Sequence, residues 1–373
     1  MKDKKKIFFV IPSLAGGGAE RVMIYLLQYI DRTKFEPWLV VLDSKNNYGE
    51  EVPKDIKVVC LNKKGRLDFF RLTVSLSKLI RKEAPSLVCS FLEYANYLVV
   101  LTRWLSGDKI PLFLSERTTP SLYLKRVRFG AFKKTLTKLL YPKAEGIIAV
   151  SKGVKEDLLV NFRVVDERCK VIYNPIDIKR TQLLSKESIE HPWFKENIPI
   201  IVACGNLTVA KNYPMLLKAM KLVLNDTEAR LVILGTGEEH IRLESYTKEV
   251  GIHKNVSFLG FQKNPFKFMA KSTIFVLSSS WEGFANVLLE AMACGLPVIS
   301  TRCASSPNEI ITSGVEGLLV PVGDEDAMAK AILRLLKDES LRKQMSEAGK
   351  IRVEDFRIKK IVKQYEEVFW GVG

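Results

Sequence analysis

Histidine is scarce in this chain, three in 373 residues, and cysteine is limited to six. His191, His240 and His253 share no spacing that suggests a metal site or a proton relay, so no metal is predicted. Cys60, Cys89, Cys169, Cys204, Cys294 and Cys303 contain no CxxC pair and sit mostly inside apolar runs, which argues against zinc and disulfide frameworks and for a reducing cytoplasm. Long apolar runs are also missing. The strongest candidate, Tyr97 to Leu105, is broken by Arg103 and falls short of the ~20 residues a bilayer span needs. Any membrane association is therefore expected to be peripheral. The opening run Ile7 to Ile11 follows MKDKKK as a signal peptide would, but stops at Pro12 with no small-residue cleavage site. It reads as a buried first strand. There is no internal repeat and no low-complexity tract.

What is present is an ordinary globular composition, 47% hydrophobic and 27% charged, enough for a core split between two domains. The charge is uneven. Residues 1–190 carry 35 basic and 21 acidic side chains, a balance of +14, whereas residues 191–373 carry 23 and 21, a balance of +2. The first half is expected to face something anionic.

Short apolar runs alternate with amphipathic helical patterns: Ile7 to Ile11, Trp38 to Leu42, Lys57 to Leu61, Leu87 to Phe91, Leu112 to Ser115, Gly146 to Val150 and Lys170 to Tyr173. That rhythm is βαβ repetition and predicts an α/β fold with parallel sheets. It restarts after a polar, unpatterned stretch, Lys179 to Asn197, with Ile200 to Cys204, Arg230 to Leu234, Val256 to Leu259, Ile274 to Leu277 and Val298 to Ser300. Two doubly wound domains joined by one linker are predicted, over residues 1–185 and 198–355. Three helical segments follow, Asp324 to Lys337, Glu339 to Val353 and Ile358 to Trp370.

Three glycine-bounded segments could carry chemistry. Gly16-Gly17-Gly18-Ala19-Glu20-Arg21 follows the first strand and opens a helix, where bare amides and the helix dipole suit a phosphate or sugar, or simply a tight turn. Gly205-Asn206-Leu207, then Lys211-Asn212, carries a cation from a glycine loop into a helix start, which suits a diphosphate. In the third, Ser278 to Pro297, Glu282 lies at a strand exit, Glu290 lies inside the next helix, and the amides of Phe284, Ala285, Asn286 and Val287 lie between them. One carboxylate can face a sugar and the other a ribose, with phosphate at the amides.

The block Ser280 to Pro297, with Gly205 to Asn212, GGGAER and Asn174-Pro175-Ile176-Asp177, resembles the retaining glycosyltransferases of family four along nearly the whole chain. The resemblance implies the GT-B fold: two Rossmann-like domains facing across a cleft, with a C-terminal helix, 356–373, crossing back to the N-terminal domain. It also implies that the second domain binds a nucleotide-sugar and the first receives the acceptor. Matched to this sequence, Lys211 would bind the donor diphosphate, Glu282 the donor sugar and Glu290 the ribose. Gly283, Phe284, Ala285, Asn286 and Val287 would supply main-chain donors, and Gly16 and Gly17 would approach the phosphates or sugar. Gly235 and Gly237 would line the nucleotide pocket, and Phe261 and Gln262 would hold the base. The expected donor is a UDP-sugar, with no cofactor and no metal.

The sequence departs from the family pattern twice. Asn206 stands where the family usually has Arg, removing a bidentate donor. Ser115-Glu116-Arg117 stands where many members have a His. Arg117 cannot act as a base near neutrality, so it is expected to bind a phosphate, a sugar hydroxyl or Glu116. Glu116 and Arg117 complete the catalytic candidates. Asp324-Glu325-Asp326 matches a D-x-D metal signature but precedes Ala-Met-Ala, as helix-capping acids do.

Between Tyr123 and Lys143 lie seven basic residues, Lys125, Arg126, Arg128, Lys133, Lys134, Lys138 and Lys143, interleaved with apolar ones and with no acid. One helix of this kind can lie on an anionic membrane surface. A second basic run, Lys63 to Lys82, includes only Asp68 as an acid. The expected reaction is transfer of a hexose or N-acetylhexosamine, with retention, to a polyprenyl-diphosphate-linked or other lipid-linked glycan acceptor at the inner face of the cell membrane. A UDP-sugar epimerase and a basic nucleic-acid binder are the alternatives, the latter without the motifs of known modules, so no nucleic-acid partner is expected.

Overall fold

A computed structural model describes residues 4–65 and 68–371; Arg66 of the second basic run and residues 1–3 and 372–373 lie outside it. The chain divides into two units, Met1–Pro175 with Ile358–Gly373, and Ile176–Arg357.

The first unit holds seven strands, β1 (Lys5–Ile11), β2 (Phe35–Val41), β3 (Lys57–Cys60), β4 (Leu87–Phe91), β5 (Leu112–Glu116), β6 (Gly146–Ala149) and β7 (Cys169–Val171). They lie in the order β3-β2-β1-β4-β5-β6-β7, and every pairing is parallel. Its helices are α1 (Gly18–Tyr29), α2 (Phe69–Glu83), α3 (Glu93–Ser106), α4 (Pro120–Leu124), α5 (Gly130–Leu140) and α6 (Lys152–Phe162). A sheet covered by helices on both faces needs strands that are apolar on both sides. Accordingly β1 buries Ile7 to Ile11 without alternation, Ile7, Phe9 and Ile11 joining the core of α1. The strand order runs outward in both directions from β1 and β4, and the crevice outside the carboxyl ends of such strands is where open α/β sheets place ligands.

The second unit begins with α7 (Ile178–Leu184) and has six parallel strands: β8 (Ile200–Cys204), β9 (Arg230–Leu234), β10 (Val256–Phe258), β11 (Ile274–Leu277), β12 (Val298–Thr301) and β13 (Gly317–Val320). Their order is β10-β9-β8-β11-β12-β13. The helices are α8 (Tyr213–Asp226), α9 (His240–Glu249), α10 (Phe266–Ala270), α11 (Asn286–Ala293), α12 (Pro307–Ile310), α13 (Glu325–Lys337) and α14 (Glu339–Arg352). Asp324 caps α13 by accepting from the Ala327 amide at 2.8 Å, which accounts for the D-x-D as helix capping.

The domain limits differ from the expected 185 and 198. The stretch read as an unpatterned linker contains α7, which packs on α10 and α11, and the Leu184 carbonyl accepts from Asn264 Nδ2 at 2.8 Å. α7 has only seven residues, so its periodicity is too brief to read. The last helix, α15 (Ile358–Trp370), belongs to the first unit. Ile358, Ile361, Val362, Tyr365, Val368 and Phe369 form its buried stripe, and Phe369 meets the rings of Phe9 and Phe113 at 5.8 and 5.9 Å.

Candidate active site

In the second unit, the loop after β8 and the loop after β11 meet. Lys211 Nζ lies 2.6 Å from Glu282 Oε1, with both side chains largely buried. Ser279 Oγ donates to the same carboxylate oxygen at 2.6 Å, Ser278 Oγ donates to the Lys211 carbonyl at 2.8 Å, and the Ser280 amide donates to the Ala210 carbonyl at 2.8 Å. Ser278, Ser279 and Ser280, to which the sequence reading gave no role, are therefore the clamps that fix the pair. Tyr213 OH reaches the Gly205 carbonyl at 3.1 Å and holds the glycine loop against α8.

Glu290 lies one turn into α11. Its charge is felt by Cys204 and Cys294, whose thiols burial pushes up to about 12, so neither is a nucleophile near neutrality. The main chain before α11 is partly committed. The Ala285 amide donates to Ser306 Oγ at 2.8 Å and the Asn286 amide to the Phe284 carbonyl at 3.1 Å, so both amides named by the sequence reading have partners within the protein. Phe284 is buried and packs its ring on Phe356 at 5.9 Å. Gly283, Phe284 and Val287 remain as main-chain candidates.

Gly235 and Gly237 lie where they let two loops touch. A Cβ on Gly235, at φ +140°, would come within 2.0 Å of the Gly205 carbonyl oxygen, and one on Gly237 within 2.3 Å of the Leu207 carbonyl oxygen. Main-chain bonds Gly205 to Leu234, Leu207 to Thr236 and Gly235 to Gly260 complete this seam. Asn206 at its rim is exposed, as is Phe261, while Gln262 turns back to donate to the Leu259 carbonyl at 2.6 Å.

In the first unit, Gly17 caps α1 and Gly16 takes φ +104°, a left-handed value that favours glycine. Glu116 is buried. Its carboxylate accepts from Tyr141 OH at 2.6 Å, from the Arg117 and Thr118 amides at 3.0 and 3.1 Å, and from Thr118 Oγ1 at 2.9 Å. Burial raises its pKa, although the Tyr141 and Thr118 hydrogen bonds oppose this. So occupied on both oxygens, it organises the loop after β5. Arg117 does not turn its guanidinium to Glu116 either. It reaches Ser115 Oγ at 3.2 Å, Tyr365 OH at 3.1 Å and Asn174 Oδ1, over the Phe91 ring. The group sequence reasoning passed over is Glu20, half-buried in the first turn of α1, its carboxyl raised by burial with Arg117 pulling the other way. A lone acid after a glycine run carries no signal until its burial is known.

The basic run 123–143 is not one helix. α4 ends at Leu124, and α5 starts at Gly130 after Phe129 takes φ +60°; the turn brings Gly130 so close to the Leu124 carbonyl that a Cβ there would overlap it. Lys125, Arg126 and Arg128 lie in the exposed turn. Lys133 instead pairs with Glu93 at 3.0 Å, which removes it from the outward-facing charges. Beside them Phe129, Phe132 and Leu139 are 66%, 68% and 56% exposed. In the second run, Arg71 is held by Asp68 and Arg81 by Asp108. Among the described residues no helix is long and apolar enough to cross a membrane, and no group of three or more His, Cys, Asp or Glu could hold a metal ion.

Two parallel-sheet domains, a glycine-bounded Lys–Glu pair at a helix start and the returning last helix define a GT-B glycosyltransferase. Residues 16–180 match the family described as Glycosyltransferase Family 4, and residues 185–352 match Glycosyl transferases group 1. A Campylobacter jejuni N-acetylgalactosamine-N,N'-diacetylbacillosaminyl-diphospho-undecaprenol 4-alpha-N-acetylgalactosaminyltransferase is 34% identical, over 96% of this chain and 98% of that protein. The N-acetyl-alpha-D-glucosaminyl L-malate synthase of Bacillus anthracis is 30% identical over 77% of this chain and 72% of its own. The structure of Anabaena Alr3699/HepE with UDP-glucose superposes with TM-score 0.82 at 21% identity, covering 98% of this chain and 99% of that one. The chain belongs to glycosyltransferase family 4. It is an enzyme of glycosyl transfer, and the epimerase and nucleic-acid readings give way.

Proposed function

We propose that this glycosyltransferase moves a hexose or N-acetylhexosamine from a UDP-sugar, with retention, onto a saccharide carried by a polyprenyl-diphosphate or similar lipid. The observation that carries the reading is the Lys211–Glu282 pair at 2.6 Å, set beside the start of α11. A cation and a carboxylate held together there suit the two ends of one ligand: Lys211 takes the diphosphate and Glu282 the hydroxyls of the sugar attached to it. Gly283 and Val287 add main-chain donors, Glu290 accepts from the ribose, and the exposed loop of Phe261 and Gln262 takes the base. The curated relative from Campylobacter supports a lipid-diphosphate acceptor, and the solved UDP-glucose complex fits a UDP donor.

In this reading the donor C1–O bond to the diphosphate breaks, the acceptor oxygen bonds to C1 on the same face, and the acceptor proton passes to the departing diphosphate. Lys211 and the positive end of α11 stabilise that leaving group, so the step calls for no metal. Glu116, buried behind Tyr141, is not needed as a base. The turn Lys125 to Phe129 with Phe132, Lys134, Lys138 and Leu139 docks the first domain on an anionic bilayer, at the inner face where lipid-diphosphate acceptors are presented. The test is a thermal-shift screen of nucleotide-sugars, followed by transfer to a synthetic lipid-diphosphate acceptor ending in N-acetylgalactosamine. A UDP-sugar that both stabilises the chain and is consumed only with the acceptor supports the reading. Stabilisation by ADP- or GDP-sugars alone would overturn the donor class.

A further inference from the structure

We propose that Glu20 binds the acceptor: its carboxylate receives hydrogen bonds from hydroxyl or acetamido N–H groups of the acceptor's terminal sugar, in the crevice at the carboxyl ends of β1 and β4. The inference rests on the glycosyl-transfer reading above and adds to it a residue to which that reading gives no role.

The placement comes from topology. Glu20 sits in the first turn of α1, directly after β1, beside the point from which the strand order runs outward both ways. Its side chain folds back over the glycine loop, with Oε2 2.7 Å from where a Gly17 Cβ would stand. Glycine at 17 is thus what lets the carboxylate lie there.

The charge balance around it singles out this acid. Among the described residues Glu20 has no ion pair and no side-chain hydrogen bond, and its own amide is the donor it meets. Arg21 next to it is already committed, to Glu51 Oε2 at 2.5 Å and over the Tyr48 ring at 4.0 Å. Arg117 lies near enough to favour the Glu20 anion, yet its own hydrogen bonds go to Ser115, Tyr365 and Asn174, and its buried Nε has no partner. An acid in a first helical turn interacts favourably with the helix dipole, and partial burial strengthens that interaction while adding a desolvation cost that a ligand's donors would offset. A half-buried carboxylate whose one hydrogen-bond donor is its own amide has acceptor capacity left for a ligand's hydroxyls.

The same anion decides what the glycine loop accepts. A diphosphate at Gly16 and Gly17 would meet a like charge in a partly desolvated crevice, whereas a neutral polyol would find a strong acceptor.

The experiment compares the full-length wild type with Glu20→Gln, Glu20→Ala and Glu20→Asp. The measurements are acceptor KM and kcat with the lipid-diphosphate acceptor ending in N-acetylgalactosamine, donor KM, acceptor-free hydrolysis of the UDP-sugar, and Tm. Loss of a hydrogen bond to a charged group predicts an acceptor KM raised about 10- to 100-fold in Gln and Ala, with partial rescue in Asp. Donor hydrolysis and Tm should stay near wild type. An unchanged acceptor KM in folded Glu20→Gln would overturn the proposal and leave Glu20 a helix-dipole residue. A rise in donor KM instead would place it at the phosphates and overturn it equally. If the wild type neither hydrolyses nor transfers from any UDP-sugar, it is the glycosyl-transfer reading that has failed.

Discussion

Lys211 and Glu282, 71 positions apart in sequence, share a 2.6 Å ion pair clamped by Ser279. A donor that engages both ends of this pair replaces one buried charge contact by two, which lets its binding energy be used where the diphosphate departs. Breaking a buried pair from one side leaves an uncompensated charge. The two residues are therefore expected to act as a unit.

Lys211→Ala should lower turnover by about 10²-fold or more, roughly 3 kcal/mol, as removal of one leaving-group donor does. Glu282→Gln should cost a similar factor, and the double variant much less than the product of the two. Steady-state kinetics on all three, with Tm recorded, checks this. Multiplying effects would show that the pair does not function together.

Asn206 is exposed at the rim of the loop, so Asn206→Arg adds a donor without disturbing the core. Donor affinity, read by titration calorimetry with UDP, should hold or rise. A tenfold loss would mean that the pocket is built differently from the family's usual one.

Gly235→Ala should destabilise the second domain by about 2 kcal/mol or more, because the new Cβ meets the Gly205 carbonyl and the φ is unsuited to alanine. Thermal unfolding should show a drop of several degrees, accompanied by weaker UDP binding. A wild-type Tm would remove the loop seam from the account.

For membrane docking, Lys133 is a poor probe because Glu93 already holds it. Lys125, Lys134 and Lys138 changed together to Glu should weaken sedimentation with phosphatidylglycerol vesicles by at least roughly 100-fold, since three basic residues at about 1 kcal/mol each are lost and like charges are added. Transfer to a short, water-soluble acceptor should persist. Vesicle binding equal to wild type would reduce the patch to a solvated face.

Most of the fold was legible in the sequence because parallel strands buried on both faces leave unbroken apolar runs, as Leu87 to Phe91 and Ile274 to Leu277 do. β13 was not, since Gly317 opens a four-residue run with little pattern, and α7 was too short to show a period. At the site, Lys211, Glu282 and Glu290 could be picked out by their glycine-bounded setting. That Lys211 touches Glu282, and that Ser306 consumes the Ala285 amide, depend on loops brought together by the sheet and leave no local trace. The burial of Glu116 behind Tyr141 is likewise a tertiary fact with no local trace.

The central claim is glycosyl transfer with retention from a UDP-sugar to a lipid-diphosphate saccharide. It is tested most directly by proton NMR of the product formed from an α-configured UDP-sugar and the synthetic acceptor. The account predicts a new α-anomeric doublet that appears in step with UDP release and is lost in Lys211→Ala. A β-anomeric product, or UDP release with free sugar and no new linkage across the UDP-sugars, would contradict it.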